Sequence, residues 1–209
     1  MKILYGTHNK AKLNAMRECL EEILNIELVG LQDLHLPIPN IEESGSNPLE
    51  NAIIKAKQFY NEFKMPVFSC DSGLYFEGVE DDLQPGTYVR RVNGKELSDE
   101  EMITYYSNLA SKYENGLIAR YQNAICLIMD DNHSYTSMDD TLSAGSFRII
   151  SKPHGKKVEG FPLDSISVDL KTNTYFFDLK DKTIDKSLIN EGFRNFFINA
   201  LKENGEKND

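Results

Sequence analysis

The sequence has few cysteines, and their positions exclude two common kinds of cysteine-dependent structure. Cys19, Cys70 and Cys126 are the three cysteines among 209 residues. An odd number argues against a disulfide framework, and no two of them have the spacing of a metal-binding pair. The pattern therefore indicates reduced thiols and favours a cytoplasmic location.

Basic residues are also scarce relative to acidic ones. The chain has 23 Lys and Arg against 33 Asp and Glu, which gives a net charge of −10 and a calculated pI near 4.9. A nucleic-acid groove depends on clustered lysines and arginines, so this balance argues against nucleic acid as a partner. A small polyphosphate remains a possible ligand if a few lysines and a divalent cation gather at one site.

Long apolar runs, internal repeats and low-complexity linkers are absent. No run approaches the ~18 residues of a membrane span, and no leader peptide precedes the first predicted strand. A hydrophobic fraction of 40% is sufficient for a sizeable core. We therefore predict a soluble protein without membrane contacts, with one domain over residues 1–201 that has two lobes around a central cleft. The charged segment 202–209 is predicted to be a frayed tail.

Hydrophobic periodicity predicts strands and helices that alternate along the chain, as in an α/β fold. The predicted strands are Lys2–Tyr5, Ile26–Leu31, a short run at Val67–Phe68, Leu117–Met129, Ser134–Leu142 and Phe147–Ser151. The predicted helices begin at Lys10, after Asn47 and after Ser98, and the last covers Ser187–Leu201. Asn47, Pro48 and Glu50 form one N-terminal capping pattern, and Ser98 with Glu101 forms another.

The turn after the first strand has the features of an anion site. Gly6, Thr7, His8 and Asn9 separate the strand from the helix, whose free N–H groups and dipole point at the turn. Lys10 and Lys12 lie in the first helical turn, where a cation opposes the dipole unless an anion is bound. The pattern weakly favours a bound phosphate, and a solvated lysine pair is the alternative.

Carboxylates in two segments are candidates for metal binding. Asp71, Ser72 and Gly73 follow the short apolar run at Val67–Phe68, and we expect them to end that strand in a tight turn. A carboxylate at the carboxyl end of a strand is suited to holding a metal ion or taking a proton from water, although many Asp residues there only start a turn. Glu42 and Glu43 precede the helix capped by Asn47, so one of them is a possible ligand and solvation is the alternative.

Four segments together resemble the inosine triphosphate pyrophosphatase family, also called Ham1-like. They occur in family order: Thr7–Lys12 resembles T-G-N-x-x-K, Ile41–Ala56 resembles E-E-T-G…E-N-A-x-x-K-A, Cys70–Leu74 resembles D-D-S-G-L, and Pro85–Arg91 resembles P-G-V-Y-S-A-R. The ordered set is much more specific than any one motif alone. Cys70 stands in place of the first Asp of the third motif, which leaves Asp71 as the main carboxylate there.

The second half of the chain departs from the family pattern. Gly160–Ser165 keeps Phe161 and Asp164 of G-F-G-Y-D-P but loses a glycine and the tyrosine. The counterpart of K-N-x-x-S-H-R keeps Lys186, but Glu191 and Gly192 stand in place of the His-Arg pair. Phosphate handling is therefore better supported by the resemblance than the choice of base.

The resemblance implies a fold, an activity and a set of site residues. The fold is a long, twisted, mixed β-sheet flanked by helices, with two lobes around a central cleft, and family members are usually homodimers. The implied activity is Mg²⁺-dependent hydrolysis of purine nucleoside triphosphates such as ITP, dITP and XTP to the monophosphate and pyrophosphate, which cleans the nucleotide pool. The implied roles are Asp71 as catalytic residue, Glu43 (with Glu42 as second choice) and Asp71 as metal ligands, and substrate contacts from Thr7, His8, Asn9, Lys10, Lys12, Ser72, Phe161, Asp164 and Lys186.

Two alternatives remain open at this point. A pyrophosphatase of the same fold with a different nucleotide substrate would explain the altered C-terminal motifs. A nucleotide-binding protein that has lost catalysis would explain them as well, although Asp71, Glu43, Lys12 and Lys186 are all present.

Overall fold

A computed structural model describes residues 1–21, 26–179 and 183–206, including the side chains of 189–205 in the last helix. Within these residues the chain forms four α-helices and nine β-strands. The helices are α1 (Lys10–Leu20), α2 (Pro48–Phe63), α3 (Asp99–Ala110) and α4 (Thr183–Glu206). The strands are β1 (Lys2–Tyr5), β2 (Glu27–Gly30), β3 (Val67–Phe76), β4 (Arg91–Val92), β5 (Lys95–Glu96), β6 (Leu117–Ile128), β7 (Ser134–Ser137), β8 (Phe147–Ile149) and β9 (Ser167–Val168).

Seven of these strands form one mixed sheet, and the other two form a small hairpin. The order in the sheet is β2-β1-β3-β6-β8-β9, with β7 also paired to β6, while β4 pairs only with β5. β1 is parallel to β2 and β3, whereas β6–β7, β6–β8 and β8–β9 are antiparallel. The predicted α/β class with a mixed sheet flanked by helices is confirmed.

The described residues divide into two compact units. The first comprises those within 1–72, 122–143 and 187–209, and the second those within 73–121 and 144–186. β3 and β6 each contribute residues to both. The predicted division into one domain of two lobes with a separate tail stays a prediction. The last helix, however, begins earlier than predicted, at Thr183, and ends later, because residues 202–206 of the predicted tail are helical.

In the first unit, the sheet has a core on each face because alternate strand residues point in opposite directions. Ile3 and Tyr5 pack in a cluster with residues of α1 and α4, whereas Leu4 packs in a second cluster with residues of α2. The second unit has one core, in which Leu74 and Phe76 of β3 pack with residues of α3. No helix among the described residues has a stretch long and apolar enough to cross a membrane.

Asp71–Gly73 does not end β3, so the predicted turn there is wrong. The strand continues to Phe76 because it finds further hydrogen-bonding partners. Leu74 and Gly86 exchange two backbone hydrogen bonds of 2.9 and 3.0 Å, and the Gln84 side chain bonds the backbone N–H and carbonyl of Phe76. Asp71 therefore lies within a strand, with 8% of its surface exposed.

The Asn47 cap and the Ser98–Glu101 capping box are confirmed, whereas the box predicted with Glu50 and the end of the strand predicted over 134–142 are wrong. Asn47 accepts a hydrogen bond from the Glu50 N–H, and Ser98 and Glu101 form a reciprocal capping box at α3. The Glu50 carboxylate bonds Ser46 instead of completing a box with Asn47. The strand predicted over 134–142 ends at Ser137, since residues 140–142 form a short 3-10 turn.

Candidate active site

The turn between β1 and α1 is built by its own polar side chains. The Asn9 side-chain oxygen caps α1 by accepting from the N–H groups of Ala11 and Lys12, at 2.9 and 3.1 Å. Thr7 Oγ1 accepts from the Asn9 N–H at 3.2 Å. These contacts hold the turn in a shape that presents the N-terminus of an eleven-residue helix.

Close packing beneath this turn requires a small residue at Gly6. A Cβ at that position would lie 2.4 Å from both the Phe59 ring and Ser69 Oγ. The glycine therefore allows the turn to approach α2 and β3. His8 and Lys10, both predicted substrate contacts, are exposed at the surface, while Thr7, Asn9 and Lys12 are half-buried.

Asp71 is the centre of a network of buried and half-buried polar side chains. Its Oδ2 accepts from Asn51 Nδ2 at 3.1 Å, and its Oδ1 lies 2.8 Å from Lys55 Nζ. The same Lys55 nitrogen lies 3.3 Å from Glu43 Oε1. The two carboxylates are therefore neighbours that share one ammonium group. Glu43 is half-buried and Glu42 is exposed, so the geometry favours Glu43 over Glu42 in this network.

Asn51 ties the Glu43 segment to Asp71. It is 2% exposed, and its side-chain oxygen accepts from the backbone N–H of Gly45 at 2.8 Å while its NH₂ group donates to Asp71. Gly45 has no room for a side chain, because a Cβ would lie 2.7 Å from Asn51 Oδ1. The loop that carries Glu43 is thus held at a defined distance from Asp71.

Lys12 belongs to the same charged network. Burial lowers the pKa of Lys12, and the nearby Lys55 ammonium lowers it further, whereas Asp71, Cys70 and Glu43 act in the opposite direction. The net pKa lies below the usual value of 10.5. A bound anion at this place would stabilise the charged form of Lys12, which agrees with its predicted role towards phosphate.

Cys70 and Asp71 point to opposite faces of β3. Cys70 packs with the α1 and α4 cluster, while Asp71 faces Asn51 and Lys55 of α2. Burial raises the pKa of the Cys70 thiol to about 12, although a hydrogen bond with Tyr5 and the charges of Lys12 and Lys55 oppose the shift. Cys70 is therefore a neutral thiol that takes no part in the carboxylate pair.

Asn51 and Lys55 were missed as site residues by the sequence analysis. The signal was present, because both lie in the E-N-A-x-x-K-A-like segment, four residues apart on one face of α2. What the sequence did not reveal is that this face meets Asp71.

Ser72, another predicted substrate contact, follows Asp71 in β3, and its side chain is half-buried.

The network suits a Mg²⁺ ion bound together with phosphates. Among the described residues, no group of three or more His, Cys, Asp or Glu side chains has the arrangement of a metal site. Mg²⁺ typically takes one or two carboxylates and completes its shell with waters and substrate phosphates. Glu43 and Asp71, already gathered around one cation, provide such a pair.

The second unit contains the two residues predicted to contact the base. Phe161 precedes a short 3-10 helix, Pro162–Ile166, and Asp164 lies within it; both side chains are half-buried. Burial raises the pKa of nearby Tyr121, the Asp164 carboxylate raises it further, and the Arg90 guanidinium opposes them. The charges of Asp164 and Arg90 thus act on the Tyr121 hydroxyl in opposite directions.

Comparison with known proteins identifies the family of the chain. A model of the Ham1 family matches residues 3–185. The chain belongs to the Ham1 family. The resemblance of its four N-terminal segments is confirmed by this match, and Lys186, Glu191 and Gly192 lie beyond its end.

Individual Ham1 relatives match over different lengths. A protein of Oceanobacillus iheyensis named dITP/XTP pyrophosphatase is 37% identical over 102 residues, which span 49% of this chain and 50% of that protein. A Coxiella burnetii protein of the same name is 29% identical over 167 residues, or 79% of each chain. The solved structure of a HAM1 protein from Coxiella burnetii has a TM-score of 0.74 at 23% identity, covering 95% of this chain and 99% of that one, and supports the fold.

The part of α4 around Glu191 and Gly192, which replace the His-Arg pair of the family pattern, packs against other residues of the first unit. A Cβ at Gly192 would lie 2.1 Å from the Thr141 carbonyl oxygen, so α4 contacts this backbone directly. Cys19 Sγ donates to the Asn190 carbonyl, and Arg194 Nε donates to the Cys19 carbonyl at 2.7 Å. Glu191 is exposed. The Lys186 side chain, a predicted substrate contact, lies outside the described residues.

Proposed function

We propose that this protein is a nucleoside triphosphate pyrophosphatase that hydrolyses non-standard purine nucleotides such as ITP, dITP and XTP to the monophosphate and pyrophosphate. The observation that carries the proposal is the network of Asp71, Lys55, Glu43 and Lys12, adjacent to a capped helix N-terminus. Membership of the Ham1 family and the names of the relatives support the substrate class.

The residues of the network have complementary roles in the proposed reaction. Hydrolysis breaks the link between the α- and β-phosphates, and the water oxygen remains on one product. Asp71 takes the proton of the attacking water, since its oxygens have acceptor capacity beyond the bonds to Asn51 and Lys55. Lys12 and Lys55 stabilise the negative charge of the phosphates and of the departing pyrophosphate.

Mg²⁺ is the proposed cofactor, held by Glu43 and Asp71. When bound, it neutralises phosphate charge and orients the substrate. Treatment with EDTA should therefore abolish turnover, and added Mg²⁺ should restore it. Turnover that persists after removal of divalent ions would contradict this part of the proposal.

Further parts of the proposal rest on the family resemblance. Thr7, His8, Asn9, Lys10, Ser72 and Lys186 are proposed to contact the phosphates, and Phe161 and Asp164 the base. A homodimer and a cytoplasmic location also stay predictions. Phe161 offers a ring for stacking, and the Asp164 carboxylate is an acceptor for a ring N–H.

The proposal is tested by pyrophosphate release with Mg²⁺ from ITP, XTP, GTP and ATP measured side by side. Faster release from ITP and XTP than from GTP and ATP is the expected result. A preference for another nucleotide would reassign the substrate within the same reaction. Binding without release from any of the four would establish a silent binding protein and refute the proposed activity.

A further inference from the structure

Asp99, the first residue of α3, joins two separate segments of the second unit. Its Oδ1 accepts from an Arg90 Nη atom at 2.7 Å, and its Oδ2 accepts from the backbone N–H of Gly160 at 2.9 Å. Burial acts to raise the pKa of Asp99, but the hydrogen bonds from Gly160 and Arg90 outweigh it and the pKa is lowered. The carboxylate is thus charged and engaged on both oxygens at neutral pH.

The Gly160 contact fixes the segment that leads into the proposed base-binding residues. Gly160 has φ of +82°, a left-handed conformation that residues with a Cβ rarely adopt. Phe161 follows directly, and its N–H donates to the Val158 carbonyl at 3.0 Å. Asp99 therefore anchors the residue immediately before the predicted stacking ring.

The Arg90 contact fixes a second segment of the second unit. Arg90 also donates to the Leu97 carbonyl at 2.9 Å, so its guanidinium is held by two partners on one side. Its charge acts on the Tyr121 hydroxyl, which is also influenced by Asp164. The Asp99 carboxylate therefore holds both the backbone at Gly160, directly before Phe161, and the guanidinium group of Arg90.

We propose that Asp99 is a positioning residue for recognition of the purine base, acting through Gly160 and Arg90 rather than by touching the substrate. The inference rests on the proposed function, because it takes Phe161 and Asp164 as the base contacts. Loss of the Asp99 carboxylate would remove the acceptor of the Gly160 N–H and one of the two acceptors that hold Arg90. Recognition of the base should therefore weaken while recognition of phosphate, to which Asp99, Arg90 and Gly160 are not assigned, stays unchanged.

Replacement Asp99→Asn keeps the size of the side chain and removes its charge. The capping box of α3 is formed by Ser98 and Glu101 and does not use Asp99, so the helix should persist. Glu100→Gln is the matched control, because it disrupts the neighbouring exposed pair between Glu100 and Lys157. Gly160→Ala is a second variant, which disturbs the same segment through its backbone.

Binding of inosine monophosphate and of pyrophosphate is measured separately by isothermal titration calorimetry. For Asp99→Asn and Gly160→Ala we expect the Kd for inosine monophosphate to rise about tenfold, as for loss of a charge-assisted hydrogen bond, and the Kd for pyrophosphate to change less than about twofold. In the hydrolysis of ITP, the KM should rise with kcat nearly unchanged. The Glu100→Gln control should resemble the wild type in all three measurements.

Three results would overturn the inference. They are an unchanged Kd for inosine monophosphate in Asp99→Asn, an equal loss for both ligands, and failure of the wild type to bind inosine monophosphate. Failure of the proposed function is recognised independently, as absence of pyrophosphate release by the wild-type protein from every nucleotide. The calorimetric comparison does not depend on turnover, so the two failures are distinguishable.

Discussion

At the scale of single residues, the account depends on Asp71 and the side chains that contact it. Asp71 lies within β3, where Asn51 and Lys55 bond its two oxygens and Glu43 shares the Lys55 ammonium. A carboxylate held in this way has a fixed orientation, which is what proton transfer and metal binding both require.

The first prediction concerns Asp71 itself. Asp71→Asn preserves the shape of the side chain but removes the base and one proposed metal ligand. We expect kcat for ITP to fall by at least about 100-fold, the typical contribution of general-base catalysis. The midpoint of thermal unfolding should show that the variant is still folded. A folded variant with a near-normal rate would refute the role of Asp71.

The second prediction uses Asn51 to change the charge beside Asp71. Asn51→Asp retains an acceptor for the Gly45 N–H but replaces the donor 3.1 Å from Asp71 with a second carboxylate. Two adjacent carboxylates repel each other, and Asp71 loses a donor that orients it, so kcat for ITP should fall by about tenfold or more. A folded variant with the wild-type kcat would show that Asn51 does not position Asp71.

The third prediction follows from the lowered pKa of Lys12. In the folded protein without ligand, the pKa of Lys12 is below its usual value of 10.5. At a pH between the folded-state pKa and 10.5, Lys12 is therefore mostly neutral in the folded protein and mostly charged in the unfolded chain. Its contribution to folding stability becomes more favourable as pH rises through this window, because the cost of the buried charge is lost. Pyrophosphate binding should restore the charge and therefore take up protons in this alkaline window below pH 10.5.

Calorimetric titrations in two buffers of different ionisation enthalpy measure this proton uptake. In the wild type, the apparent binding enthalpy should depend on the buffer at the alkaline pH and lose that dependence in Lys12→Met. Equal enthalpies in both buffers for the wild type would show that Lys12 does not face the bound phosphate.

At the scale of elements, the starts of the first three helices were well predicted, whereas the start of α4 and several strand ends were not. The caps at Asn47 and Ser98 depend on residues within one turn, so local sequence is enough to recognise them. The extent of β3 depends on Gly86 and Gln84, which lie more distant in the chain, and the turn propensity of Asp71–Gly73 was overridden by these partners. Asn51 and Lys55 were missed for the same reason, since their importance comes from the strand that faces α2.

The fourth prediction concerns the packing of α4. Gly192→Ala places a Cβ against the Thr141 carbonyl, so the helix must shift, and we expect the free energy of unfolding to fall by about 2 kcal/mol. Gly205→Ala, in the same helix, is the control because a Cβ there has open space. It should leave stability unchanged or slightly raised. Equal stabilities for the two variants, measured by urea unfolding, would contradict the close contact at Gly192.

At the scale of the whole molecule, the fold and the family could be predicted from the sequence. The ordered motifs between Thr7 and Arg91 identified the Ham1 family, and the family match and the mixed sheet confirm it. The use of α4 could not be predicted, because a glycine in place of the family's arginine gives no indication of which backbone it contacts. Base recognition is accordingly proposed for the second unit, where Arg90 and the Gly160 N–H both donate to the Asp99 carboxylate.

The most direct test of the central claim is the identity of the products formed from ITP with Mg²⁺, followed by phosphorus NMR. The wild-type protein should form inosine monophosphate and pyrophosphate as the first products, and Asp71→Asn should form both at least about 100-fold more slowly. Formation of the diphosphate and orthophosphate would contradict the proposed reaction, and identical products at equal rates from both proteins would contradict the proposed site.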